Sequence, residues 1–255
     1  MNIEPRTRII RKRLSRIANI ITVTGWKGGV GKSSLSCVLA LVAAKSGKKT
    51  GLMDLDFTGA CCDAILGVEN AFPEETGGLE PPIVAGVKFM SASFFTGRRA
   101  LHLRGHEISD AILELLAVTQ WRELDYLFLD MPPGISDAAL DIVRWIPEAK
   151  ILAVVNPSVL SYRLVEKSIS LFRDMRIPFV GLVENMSDKR DRRRGGLPVI
   201  ARISRDSGFE RAIGNPESLL KTRFAREAEA VLEYLDARPP VESRPGRRRR
   251  RAGSL

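Results

Sequence analysis

The sequence predicts an α/β protein with a doubly wound, mostly parallel sheet and helices on both faces. Two observations support this fold class. Apolar runs rich in β-branched residues alternate with segments of helical periodicity, as expected for parallel strands joined by crossover helices. The chain has 255 residues, of which 44% are hydrophobic, enough for one large domain with a substantial core. There is no internal repeat.

The predicted strands are short apolar runs, several of which end in a polar residue. They cover residues 20–24, 49–54, 87–91, 126–130, 151–155, 179–183 and 199–203. The predicted helices have apolar residues at helical spacing and cover residues 32–45, 106–117, 161–174, 205–212 and 222–236. In such a sheet, ligands are expected at the carboxyl ends of the strands.

The net charge of +10 is concentrated at the two ends of the chain. Residues 1–16 and residues 239–255 each carry a net charge of +5, which leaves residues 17–238 neutral. We therefore predict a basic N-terminal arm, a globular domain over 17–238, and a Pro/Arg-rich, disordered tail. Such arms are either solvated extensions or binding segments for nucleic acid or anionic lipid.

The cysteines and the lengths of the apolar segments also indicate the cellular compartment. Cys37, Cys61 and Cys62 leave one thiol unpaired in any disulfide scheme, which favours a reducing cytoplasm. The basic N-terminus lacks the apolar segment of a secretory signal, and no apolar run is long enough for a transmembrane segment. We expect a cytoplasmic protein.

The segment GWKGGVGKSS, residues 25–34, has the context of a phosphate-binding loop, because it follows a strand and opens a helix. Its glycines allow backbone N–H groups to turn toward an anion, and the helix N-terminus adds a partial positive charge. Lys32 is expected to reach the β- and γ-phosphates of ATP, and the Ser33 hydroxyl to bind Mg²⁺. The residues expected to bind the nucleotide in this loop are Gly28, Gly29, Val30, Gly31, Lys32, Ser33 and Ser34.

Three aspartates follow predicted strands and complete the expected magnesium site. Asp130 ends an apolar strand, and we expect it to hold the metal through a water molecule. Asp54 and Asp56 follow the second strand at the same edge of the sheet. Asp56 is the better candidate for positioning the attacking water. Asp54 is either a further metal ligand or a cap of the loop.

These motifs resemble those of the deviant-Walker ATPases, which include MinD, ParA and the Mrp-type proteins. The resemblance rests on KGGVGKS with its early Lys27, DLDFTGA at 54–60 and LDMPPGISD at 129–137. Within that group, FRDMRIPFVGLVENMS is most similar to the Mrp-type ATPases, which carry iron–sulfur clusters. The resemblance covers about residues 17–237 and implies a P-loop NTPase fold.

The resemblance implies a homodimer with ATP at its interface. The early lysine of these families crosses to the partner's nucleotide, so Lys27 is expected to act catalytically in trans, beside Lys32 and Asp56 in its own protomer. Asn185 is expected to hydrogen-bond the adenine, with a turn residue after the strand as the alternative.

One difference from the Mrp-type proteins concerns the iron–sulfur cluster that they carry. The Mrp-type carriers bear a CxxC motif after this segment, so that two protomers hold a [4Fe–4S] cluster, but here residues 188–194 read DKRDRRR. Cluster binding is therefore unsupported by the cysteine placement. Cys61–Cys62 are interpreted as apolar filling at a helix start, and His102 and His106 as surface residues rather than a metal pair.

Trp26 stands where the usual consensus has its first glycine. Either it packs across a dimer interface or it covers the end of the core.

Three functions fit these observations. The first is a slowly hydrolysing, nucleotide-switched ATPase of the Mrp type that serves iron–sulfur apo-proteins. The second is a ParA/MinD-like positioning ATPase that binds DNA or an anionic surface through its basic arms and Arg-rich tail. The third is a nucleotide-gated adaptor with negligible turnover.

Overall fold

The computed structural model describes residues 4–96, 105–134, 137–175, 177–187 and 198–237. Its strands are β1 (Ile17–Thr24), β2 (Thr50–Asp54), β3 (Glu74–Glu75), β4 (Leu79–Glu80), β5 (Ile83–Val84), β6 (Val87–Ser91), β7 (Leu124–Asp130), β8 (Lys150–Val155), β9 (Phe179–Ser187) and β10 (Val199–Ser204). Its helices are α1 (Pro5–Leu14), α2 (Lys32–Lys45), α3 (Cys62–Leu66), α4 (Ser93–Thr96), α5 (Gly105–Val118), α6 (Asp137–Trp145), α7 (Val159–Asp174), α8 (Ser207–Ala212), α9 (Pro216–Leu219) and α10 (Arg223–Asp236).

The main sheet has the order β10-β9-β8-β1-β7-β2-β6-β5 within the described residues. Its neighbouring strands pair in parallel, except that the edge strand β5 is antiparallel to β6. Because β1 lies between β7 and β8, the chain leaves β1 toward one side of the sheet and later returns to build the other side. The carboxyl end of β1 is therefore the switch point where ligands bind in such sheets. The α/β prediction is confirmed.

Strand residues alternate between two cores on opposite faces of the sheet, as the pleat requires. Ile21 and Phe128 belong to the core under α2 and α10, whereas Ile20 and Leu127 belong to the core under α1, α5 and α6. Residues 35–43 of α2 are all buried, which agrees with its apolar sequence on every side. The strand and helix predictions match observed elements, and α2 and β6 have the predicted bounds.

The N-terminal segment, predicted as a basic arm, contains helix α1. Pro5 stands in its first turn, and the Glu4 side chain accepts a hydrogen bond from the backbone N–H of Arg6. Ile10 and Leu14, one helical turn apart, are 0% and 5% exposed and pack into the core. The basic residues of this segment therefore lie on a packed helix. Residues 239–255 lie outside the described residues.

No helix in the described part of the chain combines the length and the apolarity that crossing a bilayer requires.

Candidate nucleotide-binding site

The loop between β1 and α2 uses its glycines in two ways. A Cβ at Gly25 would lie 2.7 Å from Cγ2 of Val30, and one at Gly31 would lie 2.1 Å from Nδ2 of Asn185, so these positions are closed to larger residues. Gly31 also has φ of +87° as the residue preceding α2. By contrast, a Cβ at Gly28 or Gly29 would meet nothing within 4 Å. The outer side of the loop is thus open to an approaching group.

Beneath this loop, Asp130 accepts hydrogen bonds from three side chains of the first turns of α2. Lys32 Nζ lies 2.9 Å and Ser33 Oγ 2.6 Å from Oδ2 of Asp130, and Ser36 Oγ lies 2.9 Å from Oδ1. Asp130 is fully buried. Burial by itself would lower the pKa of Lys32, but the charge and the hydrogen bond of Asp130 outweigh it and raise that pKa. The residues that the sequence predicts for the metal, Ser33 and Asp130, are in contact.

Asp54 and Asp130 are register partners at the carboxyl ends of the adjacent strands β2 and β7, which is why two carboxylates meet here. Asp54 accepts hydrogen bonds from the backbone N–H groups of Asp56 at 3.0 Å and of Cys61 and Cys62 at 3.1 Å each. It therefore caps the loop and the start of α3, the second of the two predicted roles. Burial and, after it, the charge of Asp130 raise the pKa of Asp54 to about 7.

Asp56 lies two residues further along, in the loop, and is 8% exposed. Its Oδ1 accepts hydrogen bonds from the backbone N–H groups of Thr58 and Gly59 and from the Thr58 hydroxyl, at 2.7–3.2 Å. Its Oδ2 makes no hydrogen bond with the described residues. The carboxylate is thus held through one oxygen while the other is left for a further donor.

A cavity of about 470 Å³ adjoins the loop on the side of β9 and β10. Asn185 lines it and is 3% exposed; its Nδ2 donates to the Val30 carbonyl at 2.9 Å, and its Oδ1 accepts from the backbone N–H of Met186. In this structure the amide therefore binds the loop backbone. The far wall, which sequence reasoning missed, consists of Ser204, Arg205, Asp206, Ser207, Phe209, Glu210 and Phe224.

The two unusual residues at the start of the loop differ in their surroundings. Trp26 packs against Phe172 with ring centroids 6.4 Å apart, so it covers the end of the core, one of the two predicted alternatives. Lys27 is half-buried and has no ion pair or hydrogen bond within the described part of the chain.

Comparison with known proteins agrees with this geometry. The family model described as "NUBPL iron-transfer P-loop NTPase", of the ParA group, matches residues 16–195. The chain belongs to this family. The NUBPL-type match ends inside the segment 188–197, which lies outside the described residues together with the predicted cationic loop 188–194.

The NUBPL-type chain is also similar to individual relatives and solved structures. It is 37% identical over 177 residues to the Escherichia coli "Iron-sulfur cluster carrier protein". The matched segment covers 68% of this chain and 48% of that protein. It thus spans about half the length of that relative. A nucleotide-binding protein from Archaeoglobus fulgidus, solved in complex with ADP, has a TM-score of 0.69 and 29% identity, covering 92% of this chain and 98% of that one.

The cell-division ATPase MinD of Pyrococcus furiosus shares the fold. Its TM-score is 0.63 and its identity 18%, covering 86% of this chain and 99% of that one. The resemblance to the Mrp and MinD groups is thereby confirmed at the level of family and fold.

The cysteines of this NUBPL-type chain converge on the same site. Cys62 Sγ lies 3.6 Å from Oδ2 of Asp130, and Cys37 Sγ lies 3.9 Å from the Cys62 carbonyl. Burial raises the pKa of all three thiols, that of Cys61 to about 11, so they are held protonated. Cys62 is fully buried in the core, which agrees with its interpretation as apolar filling. His106 is exposed, and His102 lies outside the described residues.

Proposed function

We propose that the chain binds ATP at residues 25–34 and hydrolyses it slowly as a nucleotide-switched homodimer. The contact of Lys32 and Ser33 with the buried Asp130 carries this proposal, because it assembles the cation, the hydroxyl and the carboxylate of a P-loop site beneath an open glycine loop. The ADP complex of the similar Archaeoglobus fulgidus protein supports it.

The open space above Gly28 and Gly29 fits a phosphate group, which would accept hydrogen bonds from the loop N–H groups and lie at the N-terminus of α2. Lys32 would leave Oδ2 of Asp130 and bind the β- and γ-phosphates. This exchange keeps the ammonium paired with an anion throughout, so the buried cation is never left without a partner.

The donor set also fits Mg²⁺, since Ser33 and Asp130 offer oxygen ligands and a carboxylate oxygen of Asp54 lies within 4.8 Å of one of Asp130. When bound, Mg²⁺ neutralises charge on the β- and γ-phosphate oxygens. Ser33 would bind it directly and Asp130 through water, and Asp54 would continue to hold the loop. Asp56 would orient the attacking water with its free Oδ2, while its Oδ1 keeps the carboxylate fixed.

The cavity beside Asn185 has a suitable volume and lining for the base of the nucleotide. Phe209 and Phe224, whose ring centroids lie 4.8 Å apart, offer apolar surface, and Asn185 offers a donor and an acceptor once it exchanges its backbone partners. Ser34 at the rim would adjoin the sugar and phosphates.

Lys27 has no described partner within its own chain, which supports its assignment to the nucleotide of a second protomer. A cation that arrives from the partner couples the nucleotide state to dimerisation. Lys27→Ala should therefore retain ATP affinity but lose ATP-dependent dimerisation and turnover, whereas Lys32→Ala should lose nucleotide affinity. Isothermal titration, light scattering and phosphate release test these expectations, with the exposed Lys45→Ala on α2 as the matched control. Normal dimerisation and hydrolysis by Lys27→Ala would refute the assignment in trans.

For the cargo, we propose a role with iron–sulfur apo-proteins, supported by the name of the Escherichia coli relative and the description of the family model. The cluster would be handled as a substrate. Holding it on the cysteines of this chain has little support, because Cys37 and Cys62 are buried at the nucleotide site. Anaerobic reconstitution with iron and sulfide, followed by visible absorbance, tests this point.

A second candidate is a positioning ATPase that binds nucleic acid, favoured by the run Arg247–Arg251 in a tail of net charge +5. Deleting residues 239–255 should then reduce DNA binding in the presence of ATP and leave hydrolysis unchanged. If the deletion leaves DNA binding equal, the tail has no such role. A nucleotide-gated adaptor is distinguished by the absence of hydrolysis that depends on Asp56.

A further inference from the structure

We propose that a second cavity, between α1 and the start of β7, binds a phosphate-bearing anion. The cavity has a volume of about 460 Å³ and is lined by Lys12, Arg13, Arg16 and Arg122, beside Trp121. No aspartate or glutamate is among its described lining residues. The inference does not depend on nucleotide binding at the P-loop.

Two of the residues that line this cavity carry a buried donor with no hydrogen-bond partner among the described residues. These donors are Nε of Arg13 and Nε1 of Trp121. A buried N–H without an acceptor is unfavourable, so two of them beside one cavity call for an acceptor. The described residues offer none. Both atoms are closed to solvent in this structure, so an anion in the cavity would accept from them only after the side chains that cover them shift.

The orientation of Trp121 supports this assignment. The residue is fully buried, and a Cβ added at Gly51 would lie 2.9 Å from its Cε3 and Cζ3 atoms. This edge of the indole therefore faces β2, and the opposite edge, which carries Nε1, faces away from that strand. On that face of the sheet, Trp121 belongs to the same core as Ile10 and Leu14 of α1.

The cations of the cavity are only partly compensated. Arg122 is fixed by two hydrogen bonds of 2.9 Å to Glu80, and its backbone φ is +60°. Arg16 feels the charge of Glu123, which is itself paired with Lys49. Lys12 and Arg13 are consecutive residues of α1, and neither has an ion pair within the described part of the chain. These two cations form the centre of the proposed site, beside the buried indole of Trp121.

The chemistry of this centre selects a phosphate group. A guanidinium presents planar donors that match phosphate oxygens, and the adjacent ammonium adds a second positive charge. A cavity of this volume also has room for a small molecule that carries the phosphate. Lys12 and Arg16 are exposed and Ile9 at the rim is 46% exposed, so the phosphate could equally belong to a lipid headgroup. The shared chemistry is the phosphate group.

The proposed site lies at the amino end of β7, whereas the P-loop site lies at the carboxyl ends of the strands. Strand β7 runs from Leu124, beside the cavity, to Asp130, in the nucleotide site, and seven residues of strand span about 20 Å. An anion at α1 would therefore bind without displacing a nucleotide.

Two of the three tryptophans report the two sites separately, because Trp26 starts the P-loop and Trp121 borders the cavity. We suggest titrating the full chain, labelled with ¹⁵N in its indole groups and kept in excess ADP, with pyrophosphate at constant ionic strength. Trp121→Phe assigns the signal. We expect a saturable shift of the Trp121 indole signal while the Trp26 signal keeps its position. If ADP does not occupy the P-loop, the Trp26 signal moves as well, which would count against the proposed function and not against this site.

Arg13→Gln should weaken this binding by about tenfold or more, since it removes a charged donor. Arg11→Gln is the matched control, because it removes the same charge from an exposed position on the opposite side of α1. Arg11→Gln should change the affinity by less than about twofold, because an exposed charge outside the site contributes little. Vesicles of phosphatidylcholine with and without phosphatidylglycerol form a second arm, read by the same signal.

A saturable shift that Arg13→Gln removes supports the proposal, and the arm in which it occurs identifies the source of the phosphate. The proposal is overturned if neither probe shifts the Trp121 signal. It is also overturned if Arg11→Gln weakens binding as much as Arg13→Gln does, because the attraction would then be unspecific.

Discussion

The two ends of strand β7 deal with buried polar groups in different ways. At its carboxyl end, Asp130 accepts hydrogen bonds from Lys32, Ser33 and Ser36, so each of these groups has a partner inside the chain. At its amino end, Arg13 Nε and Trp121 Nε1 have none among the described residues. Before a ligand binds, the polar groups of a site are therefore either paired with another group of the chain or buried without a partner.

The largest effect is expected when Asp130 loses its internal partner at the carboxyl end of β7. Lys32→Met should lower the free energy of unfolding by about 3–5 kcal/mol, because it leaves the fully buried Asp130 without its cation. Urea unfolding without nucleotide measures this loss. Lys45→Met, an exposed position in the last turn of the same helix, should cost less than about 0.5 kcal/mol. Equal costs at the two positions would show that the pair contributes nothing specific.

A smaller effect is expected from crowding the loop above this network. Gly31→Ala should cost about 2 kcal/mol, because its Cβ meets Nδ2 of Asn185 at 2.1 Å and its φ of +87° disfavours a side chain. The double variant with Asn185→Ala should recover part of this cost, since the clash is removed and the backbone strain remains. Strictly additive costs in urea unfolding would contradict the contact.

The free energy of unfolding should also depend on pH, because Asp54 is buried beside Asp130. The pKa of Asp54 is raised to about 7 in the folded chain from an ordinary value of 3.8, so the folded state holds an extra proton between these values. That stability is present at low pH and is lost as the pH rises through about 7. Without nucleotide, the free energy of unfolding should fall by about 1–2 kcal/mol between about pH 6 and pH 8. Asp54→Asn should flatten the profile; an unchanged slope in this variant would assign the titration to another group.

The smallest effect is expected at Trp26, whose Nε1 is also buried without a partner in the described residues. Trp26→Phe should change the free energy of unfolding by less than about 1 kcal/mol, because removing the donor offsets the lost contact area. Trp26→Ala should cost more, since it also removes the packing against Phe172. Thermal unfolding of the two variants makes the comparison, and a large loss in Trp26→Phe would reveal an acceptor for the indole.

Much of the fold and of the nucleotide site could be predicted from local patterns. Helix α2 and strand β6 have the predicted bounds, and Lys32, Ser33 and Asp130 meet as expected. Helix α1 was missed because its charges masked a short apolar stripe. Ile10 and Leu14 are one turn apart, and Pro5 follows a capping residue, so the signal was present in the sequence.

Other features depend on distant parts of the chain. The wall formed by Asp206 and Phe209 lies across the cavity from Asn185 only because β10 pairs with β9. The convergence of Cys37 and Cys62 on Asp130 likewise follows from the packing of α3 against α2. No spacing rule within a single segment relates these residues.

The α/β fold class, the phosphate loop and the family could be predicted from the sequence, because each depends on residues that are neighbours in the chain. Three outcomes required the packed structure: Asp54 caps the loop, Trp26 covers the core, and two residues lining the cationic cavity at α1 carry buried donors without a described partner. These outcomes depend on which surfaces the packing of helices and strands leaves buried, and burial sets the cost of an unpaired polar group.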